Sequence, residues 1–69
     1  MTNKKNIIVK NEGTIFLIIP VSRRAKKWVA ANVQIESWQW LGGGFGVDHR
    51  CAENLLEGME NDLGGIEYL

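Results

Sequence analysis

One short stretch of this 69-residue chain brings together a carboxylate, an imidazole and a thiol. Asp48, His49 and Cys51 are nearly contiguous, and a cysteine activated by a histidine base is an established nucleophilic arrangement. The spacing argues against it, because residues 49 and 51 point about 200° apart near the start of a helix. We therefore expect Asp48 to cap a helix, Cys51 to be a small buried apolar residue, and the protein to have no catalytic residues.

Metal and cofactor chemistry have as little support in the sequence. The chain has one histidine and one cysteine, whereas structural zinc requires four ligands. The glycine-rich run 42–46 precedes a helix, as phosphate-binding loops do, but it matches neither G-x-x-x-x-G-K-[ST] nor G-x-G-x-x-G. We expect no metal and no cofactor, and we attribute the glycines to close backbone approach beneath the tryptophans.

The apolar pattern predicts one α+β domain over residues 1–69, and it begins with a hairpin. Ile7 to Val9 and Thr14 to Ile19 are typical of strands, and the turn between them contains Gly13, which tolerates a positive φ. The second run is almost entirely apolar and β-branched, so we expect a central strand covered on both faces. Pro20 should end it, because proline cannot donate to a sheet ladder.

Two amphipathic helices should follow. Ser22 is a natural cap for a helix from about 22 to 33, whose apolar face includes Ala25, Trp28 and Val29. Asp48 can cap the second helix, and the pair Gly64-Gly65 would end it. The apolar residues of the second helix recur at i, i+3, i+4, i+7 and i+11: Ala52, Leu55, Leu56, Met59 and Leu63.

A strand from about 38 to 47, bent or bulged at the glycines, and a short last strand over 66–69 complete a ββαβαβ order. We expect a mainly antiparallel sheet with both helices packed on it. Trp38 and Trp40 would share one side of their strand. They either form the core with Trp28 or make an exposed aromatic pair able to bind partners or stack on bases.

The charges of the chain are segregated along its length. Seven of the eight basic residues lie in the first 27 positions, and seven of the eight acidic residues lie beyond them. Such asymmetry points to an interaction surface. Four cations crowd the start of the first helix: Arg23, Arg24, Lys26 and Lys27. Four acids lie along the second helix: Glu53, Glu57, Glu60 and Asp62.

Each charged group has two interpretations. The acidic residues could imitate nucleic acid phosphates in an arginine- or lysine-lined groove of a protein partner, and the basic residues could track a phosphate backbone. Alternatively, both are solvated faces, or they pair with each other within the fold or across a homodimer. The cations in the first turn oppose the helix dipole, and a broken local rule favours a functional interpretation.

Several short patterns resemble a group of very small proteins encoded by phages, plasmids and integrated elements of proteobacteria. They are Asn11-x-Gly13, the apolar run to Pro20, Ala25-x-x-Trp28, Trp40-x-Gly42-Gly43 and Leu55-Leu56-x-Gly58-Met59. The resemblance covers most of the chain and transfers no catalytic residue. It implies a small protein of a mobile element that binds and blocks a host defence complex, as anti-CRISPR inhibitors do.

Our leading hypothesis is a non-enzymatic binding protein in the cytoplasm of a bacterial host, with a host complex such as a CRISPR-Cas effector as its partner. The contact surface would be the second helix, through Glu53, Glu57, Glu60 and Asp62. The alternative is a nucleic-acid-binding accessory protein that uses Arg23, Arg24, Lys26 and Lys27. We expect no membrane span, because the longest apolar run has seven residues against the roughly 20 required.

Overall fold

A computed structural model describes residues 5–36 and 39–69 as a mixed sheet with two helices on one face. Its elements are β1 (Ile7–Asn11), β2 (Ile15–Pro20), α1 (Arg23–Asn32), β3 (Trp40–Leu41), β4 (Gly44–Asp48), α2 (His49–Asp62) and β5 (Ile66–Tyr68). The predicted α+β class and ββαβαβ order are confirmed. The predicted third strand occurs as the β3–β4 pair.

The sheet order is β3-β4-β2-β1-β5, so β2 is central, as predicted. Strand β2 pairs antiparallel with β1 and β4, and β5 runs parallel to β1. The first hairpin has the expected turn: Gly13 has a φ of 98°, and its backbone N–H donates to Asn11 Oδ1 over 2.9 Å. Pro20 is the last residue of β2, which confirms the predicted stop.

The glycine-rich segment turns the chain instead of bending one strand. Strands β3 and β4 are antiparallel arms around Gly42 and Gly43, and Gly42 has a φ of 66°. Of the predicted strand 38–47, residue 38 lies outside the described residues. A Cβ on Gly44 would stand 2.7 Å from Ile19 Cγ1 and 2.8 Å from the Ile18 carbonyl oxygen. The expected close approach therefore exists, but it is to β2.

The expectation that β2 is covered on both faces is wrong. Ile18, on the helix-facing side, is fully buried, whereas Leu17 and Ile19 on the opposite side are half-buried. Both helices contribute to one core cluster on a single face, and within the described residues no helix covers the other face. The core consists of Ile7, Val9, Ile18, Ala25, Val29, Phe45, Ala52, Leu56 and Met59.

The helix boundaries follow the capping residues that the sequence predicts. The Ser22 hydroxyl accepts from the Ala25 N–H at 3.0 Å, and the Asp48 carboxylate accepts from the Cys51 N–H at 2.8 Å. At the end of α2, Gly64 adopts a φ of 70° and its N–H donates to the Met59 carbonyl. Each of these bonds satisfies one of the orphan backbone groups at a helix end locally.

Within residues 5–36 and 39–69, neither helix has the length and apolar character that crossing a bilayer demands.

Candidate partner-binding surfaces

The two helices meet with the start of α1 beside the end of α2. Trp28 Nε1 donates to Asp62 Oδ2 over 2.8 Å, and Arg24 Nη2 donates to the Asp62 carbonyl oxygen over 3.1 Å. Gly58 also faces α1, since a Cβ built there would lie 3.7 Å from the Trp28 ring. Gly58 and Asp62 therefore mark the side of α2 that faces its neighbour.

Three of the four predicted acidic contact residues lie on a different side of α2. Successive residues of a helix rotate by about 100°, so Glu53, Glu57 and Glu60 share one flank, and Asp62 falls on the side of Gly58. Tyr68 of β5 confirms this direction, because its hydroxyl donates to Glu60 Oε2 at 2.9 Å. We call the three glutamates the acidic row. Asp62 is separated from it and is held by α1.

The predicted basic residues are all exposed, but they do not behave alike. Arg24 points towards α2, where its guanidinium reaches the Asp62 carbonyl. Arg23, Lys26 and Lys27 are exposed on α1 at i, i+3 and i+4, close enough to form one surface, which we call the basic face. In the described parts of the chain the ion pairs are Lys5–Glu67 and Lys10–Glu12, so the basic face and the acidic row do not pair with each other.

Arg24 explains part of the unfavourable charge at the start of α1. The last turn of α2 contains no basic residue, although the negative end of a helix dipole favours one there. The Arg24 guanidinium reaches this position from the neighbouring helix. A cation that is unfavourable for α1 is therefore favourable for the end of α2.

Trp40 is a surface residue, so the interpretation of this indole as part of the core is wrong. It is 41% exposed, and its ring meets the buried Phe45 edge-on, with centroids 5.5 Å apart and planes inclined by 70°. Phe45 thus fixes the indole while much of it faces solvent. Trp38 lies outside the described residues, and Trp28 is half-buried against α2.

A cleft of about 220 Å³ separates Trp40 from α1. Its lining includes the exposed Trp40 indole and Lys26 of the basic face. The remaining lining residues are apolar: Pro20, Val29, Ala30, Val33 and Ile35. Ala30 stands one turn after Lys26, and its small side chain leaves room beside the indole. This combination of an aromatic wall and a cation is one that a planar anionic ligand can use.

A second groove, of about 500 Å³, runs between α1 and the first half of α2. Its walls are mainly apolar, with amide side chains among them: Trp28, Val33, Gln34, Ile35, Gln39, Val47, Cys51, Asn54, Leu55 and Gly58. The lining carries no formally charged side chain. The groove is therefore distinct in character from both charged surfaces.

The Asp48, His49 and Cys51 group has the geometry of a helix cap. The Cys51 backbone N–H donates to Asp48 and lowers the pKa of that carboxyl, while the bond between the thiol and Asp48 raises the pKa of Cys51. A raised pKa is the reverse of what a thiolate nucleophile requires. His49 stacks on Phe16 with ring centroids 4.4 Å apart, whereas Cys51 lines the interhelical groove. Cys51 is exposed, so its predicted burial is wrong.

Metal coordination has no candidate in the described parts of the chain, where no three His, Cys, Asp or Glu side chains are grouped to hold an ion.

Comparison with known proteins finds no matching family model, curated protein or solved structure. The candidate surfaces are therefore interpreted from their own geometry. Sequence reasoning missed that Trp40 and Lys26 line one cleft, because 13 residues separate them in the chain and only the tertiary fold brings them to the same cleft. The available clue was a tryptophan on a predicted strand in a chain that also has a basic helix.

Proposed function

We propose that this protein is a non-enzymatic inhibitor that binds a nucleic-acid-handling complex of a bacterial host through the acidic row of α2. The observation that carries the proposal is the orientation of that row. Glu53, Glu57 and Glu60 are exposed on a flank that faces away from α1, and within the described chain none of them forms an ion pair. Their charge is therefore available to a partner.

The row is slightly unfavourable for the isolated protein. Like charges three or four residues apart on a helix repel by a few tenths of a kcal/mol, and among the described residues no basic side chain lies within ion-pair distance to offset this. Glu60 also lies in the last turn of α2, where the negative end of the helix dipole disfavours an acid. A cationic partner would relieve both effects.

The row also has the form of an electrostatic mimic. Glu60 is held by the Tyr68 hydroxyl, so at least one carboxylate has a fixed position. A line of negative charges on a helix fits a groove lined by lysine and arginine, as found where proteins hold nucleic acid backbones. The resemblance to small proteins of mobile elements selects the partner class: a CRISPR-Cas effector complex, with inhibition in the anti-CRISPR manner.

Binding to purified effectors tests this proposal. The immobilised protein should retain a CRISPR-Cas effector complex, and guide–target nucleic acid should compete for the same groove. Replacing the row (Glu53→Gln, Glu57→Gln and Glu60→Gln together) should weaken binding by about tenfold or more, mainly through slower association. Failure to retain any effector tested, or retention unchanged in the triple variant, would contradict the proposal.

Asp62→Asn is the matched control. It removes one negative charge from the same helix, but the structure places Asp62 against Trp28 and outside the row. Its binding should therefore equal that of the unmodified protein. Equal losses in Asp62→Asn and Glu57→Gln would show that net charge, and not this flank, governs binding.

A further inference from the structure

We propose that the cleft between α1 and β3 is a binding site for single-stranded nucleic acid, in which one base stacks on Trp40 and the adjoining phosphates contact the basic face. This site is separate from the acidic row and does not depend on it. Three observations lead to it: the fixed indole, the cation in the same cleft, and the charge around the mouth.

The indole is arranged as a stacking platform. A fully buried Phe45 ring supports it edge-on, which holds its orientation, and 41% of Trp40 remains exposed. A tryptophan that merely completed the core would be covered. Base stacking on an aromatic side chain accepts any base, because every base presents a π face.

The charge of the cleft selects an anion. Lys26 lines it, and no acidic residue is among its lining residues. Arg23 and Lys27 stand at i−3 and i+1 from Lys26 on the exposed surface of α1, and none of the three is in an ion pair within the described chain. A string of phosphates passing along α1 would meet these cations in succession.

The shape favours a single strand over a duplex. A cleft of about 220 Å³ with an apolar floor admits one flat ring, and in a duplex the base faces are stacked on one another and unavailable. An acidic peptide would match the charge but would make no use of the indole face. The combination of indole and cations therefore favours a nucleic acid strand.

Fluorescence anisotropy with a labelled oligothymidine of about 20 nucleotides, and with a duplex of equal length, tests the proposal on the full chain. We expect the single strand to bind more tightly, and binding to weaken steeply between about 50 and 200 mM salt. Trp40→Ala should weaken binding about tenfold, and Trp40→Phe, which keeps a ring, should weaken it less. Lys26→Gln should reduce the slope of log K against log salt by about 0.7.

Two matched variants control for exposure and charge. Tyr68→Ala removes another exposed aromatic residue, and Arg50→Gln removes an exposed cation from α2; both should bind as the unmodified protein does. No binding at low salt would overturn the proposal. So would equal losses in Trp40→Ala and Tyr68→Ala, or preferential binding of polyglutamate over the oligonucleotide. Tight binding of strand and duplex alike, unchanged by Trp40→Ala, would overturn the stacking site.

Discussion

The two helices have the same construction and opposite charge. Each begins at a side-chain cap, Ser22 or Asp48, and each buries an apolar stripe on the same sheet face. Yet α1 has cations in its first turn and α2 has acids in its last, so each carries the charge that its own dipole disfavours. Because the start of α1 lies beside the end of α2, the Arg24 guanidinium reaches the α2 terminus. The packing of the two helices therefore partly offsets the unfavourable interaction between these charges and the helix dipoles.

The comparison also separates residues that the sequence grouped together. Arg24 and Asp62 act at the contact between the helices, whereas the other predicted charged residues face solvent on two unconnected surfaces. Charge segregation in this protein therefore has two parts. One part joins the helices, and the larger part faces solvent.

The largest expected effect is at the junction where both helices are anchored to β1. The Asn6 side chain donates to the Leu63 and Gly64 carbonyls and accepts from the Ser22 hydroxyl at 2.6 Å. At about 1 kcal/mol for each bond, Asn6→Ala should lower the free energy of unfolding by about 3 kcal/mol. Urea denaturation measures this. Asn61→Ala, at an exposed position, should change stability by less than about 0.5 kcal/mol; equal effects would show that Asn6 is not an anchor.

The two caps should differ in their response to acid. Ser22→Ala should cost about 1 kcal/mol at every pH, because a hydroxyl does not titrate. The folded state lowers the pKa of Asp48, so its charge stabilises the protein above the unfolded-state pKa, and that contribution disappears as pH falls through the folded pKa. Asp48→Asn should therefore be less stable than the unmodified protein at neutral pH, and the difference should close in acid. A constant difference in denaturation series across pH would contradict this.

A smaller, stabilising change tests the contact surface of the helices. Gly58 stands within α2, and a Cβ there would meet the Trp28 ring at 3.7 Å, an ordinary van der Waals distance. Gly58→Ala should raise the free energy of unfolding by about 0.5–1 kcal/mol, through helix propensity without a clash. Gly44→Ala offers the contrast, since its Cβ would stand 2.8 Å from the Ile18 carbonyl oxygen and should destabilise. Destabilisation by Gly58→Ala would mean that α2 and the Trp28 ring pack more closely than the 3.7 Å distance indicates.

The smallest effect separates two adjacent arginines. Arg24→Gln should cost about 0.5 kcal/mol, since it removes the cation from the end of α2. Arg23→Gln should instead stabilise by a few tenths of a kcal/mol, because it removes an unfavourable charge from the start of α1. Thermal unfolding of both variants at low salt measures the difference. The same sign in both would refute the role assigned to Arg24.

Local features of this fold were predictable from the sequence, and its long-range contacts were not. The caps at Ser22 and Asp48 and the turn at Gly13 follow from side-chain chemistry and backbone freedom. The sequence also allowed the prediction that Asp62 and Glu53 lie on opposite sides of α2, because a spacing of nine residues corresponds to about half a turn around the helix axis. The exposure of Trp40 and the placement of both helices on one face of β2 depend on tertiary packing, and periodicity within one segment carries no such information.

Within the described residues, the basic face and the acidic row do not neutralise each other. A double-mutant cycle on the free energy of unfolding, with Lys27→Gln, Glu57→Gln and the double variant at low salt, tests it most directly. We expect additive effects, with a coupling energy below about 0.3 kcal/mol. A coupling of about 1 kcal/mol or more would contradict it, because the two surfaces would then be paired with each other and not available to partners.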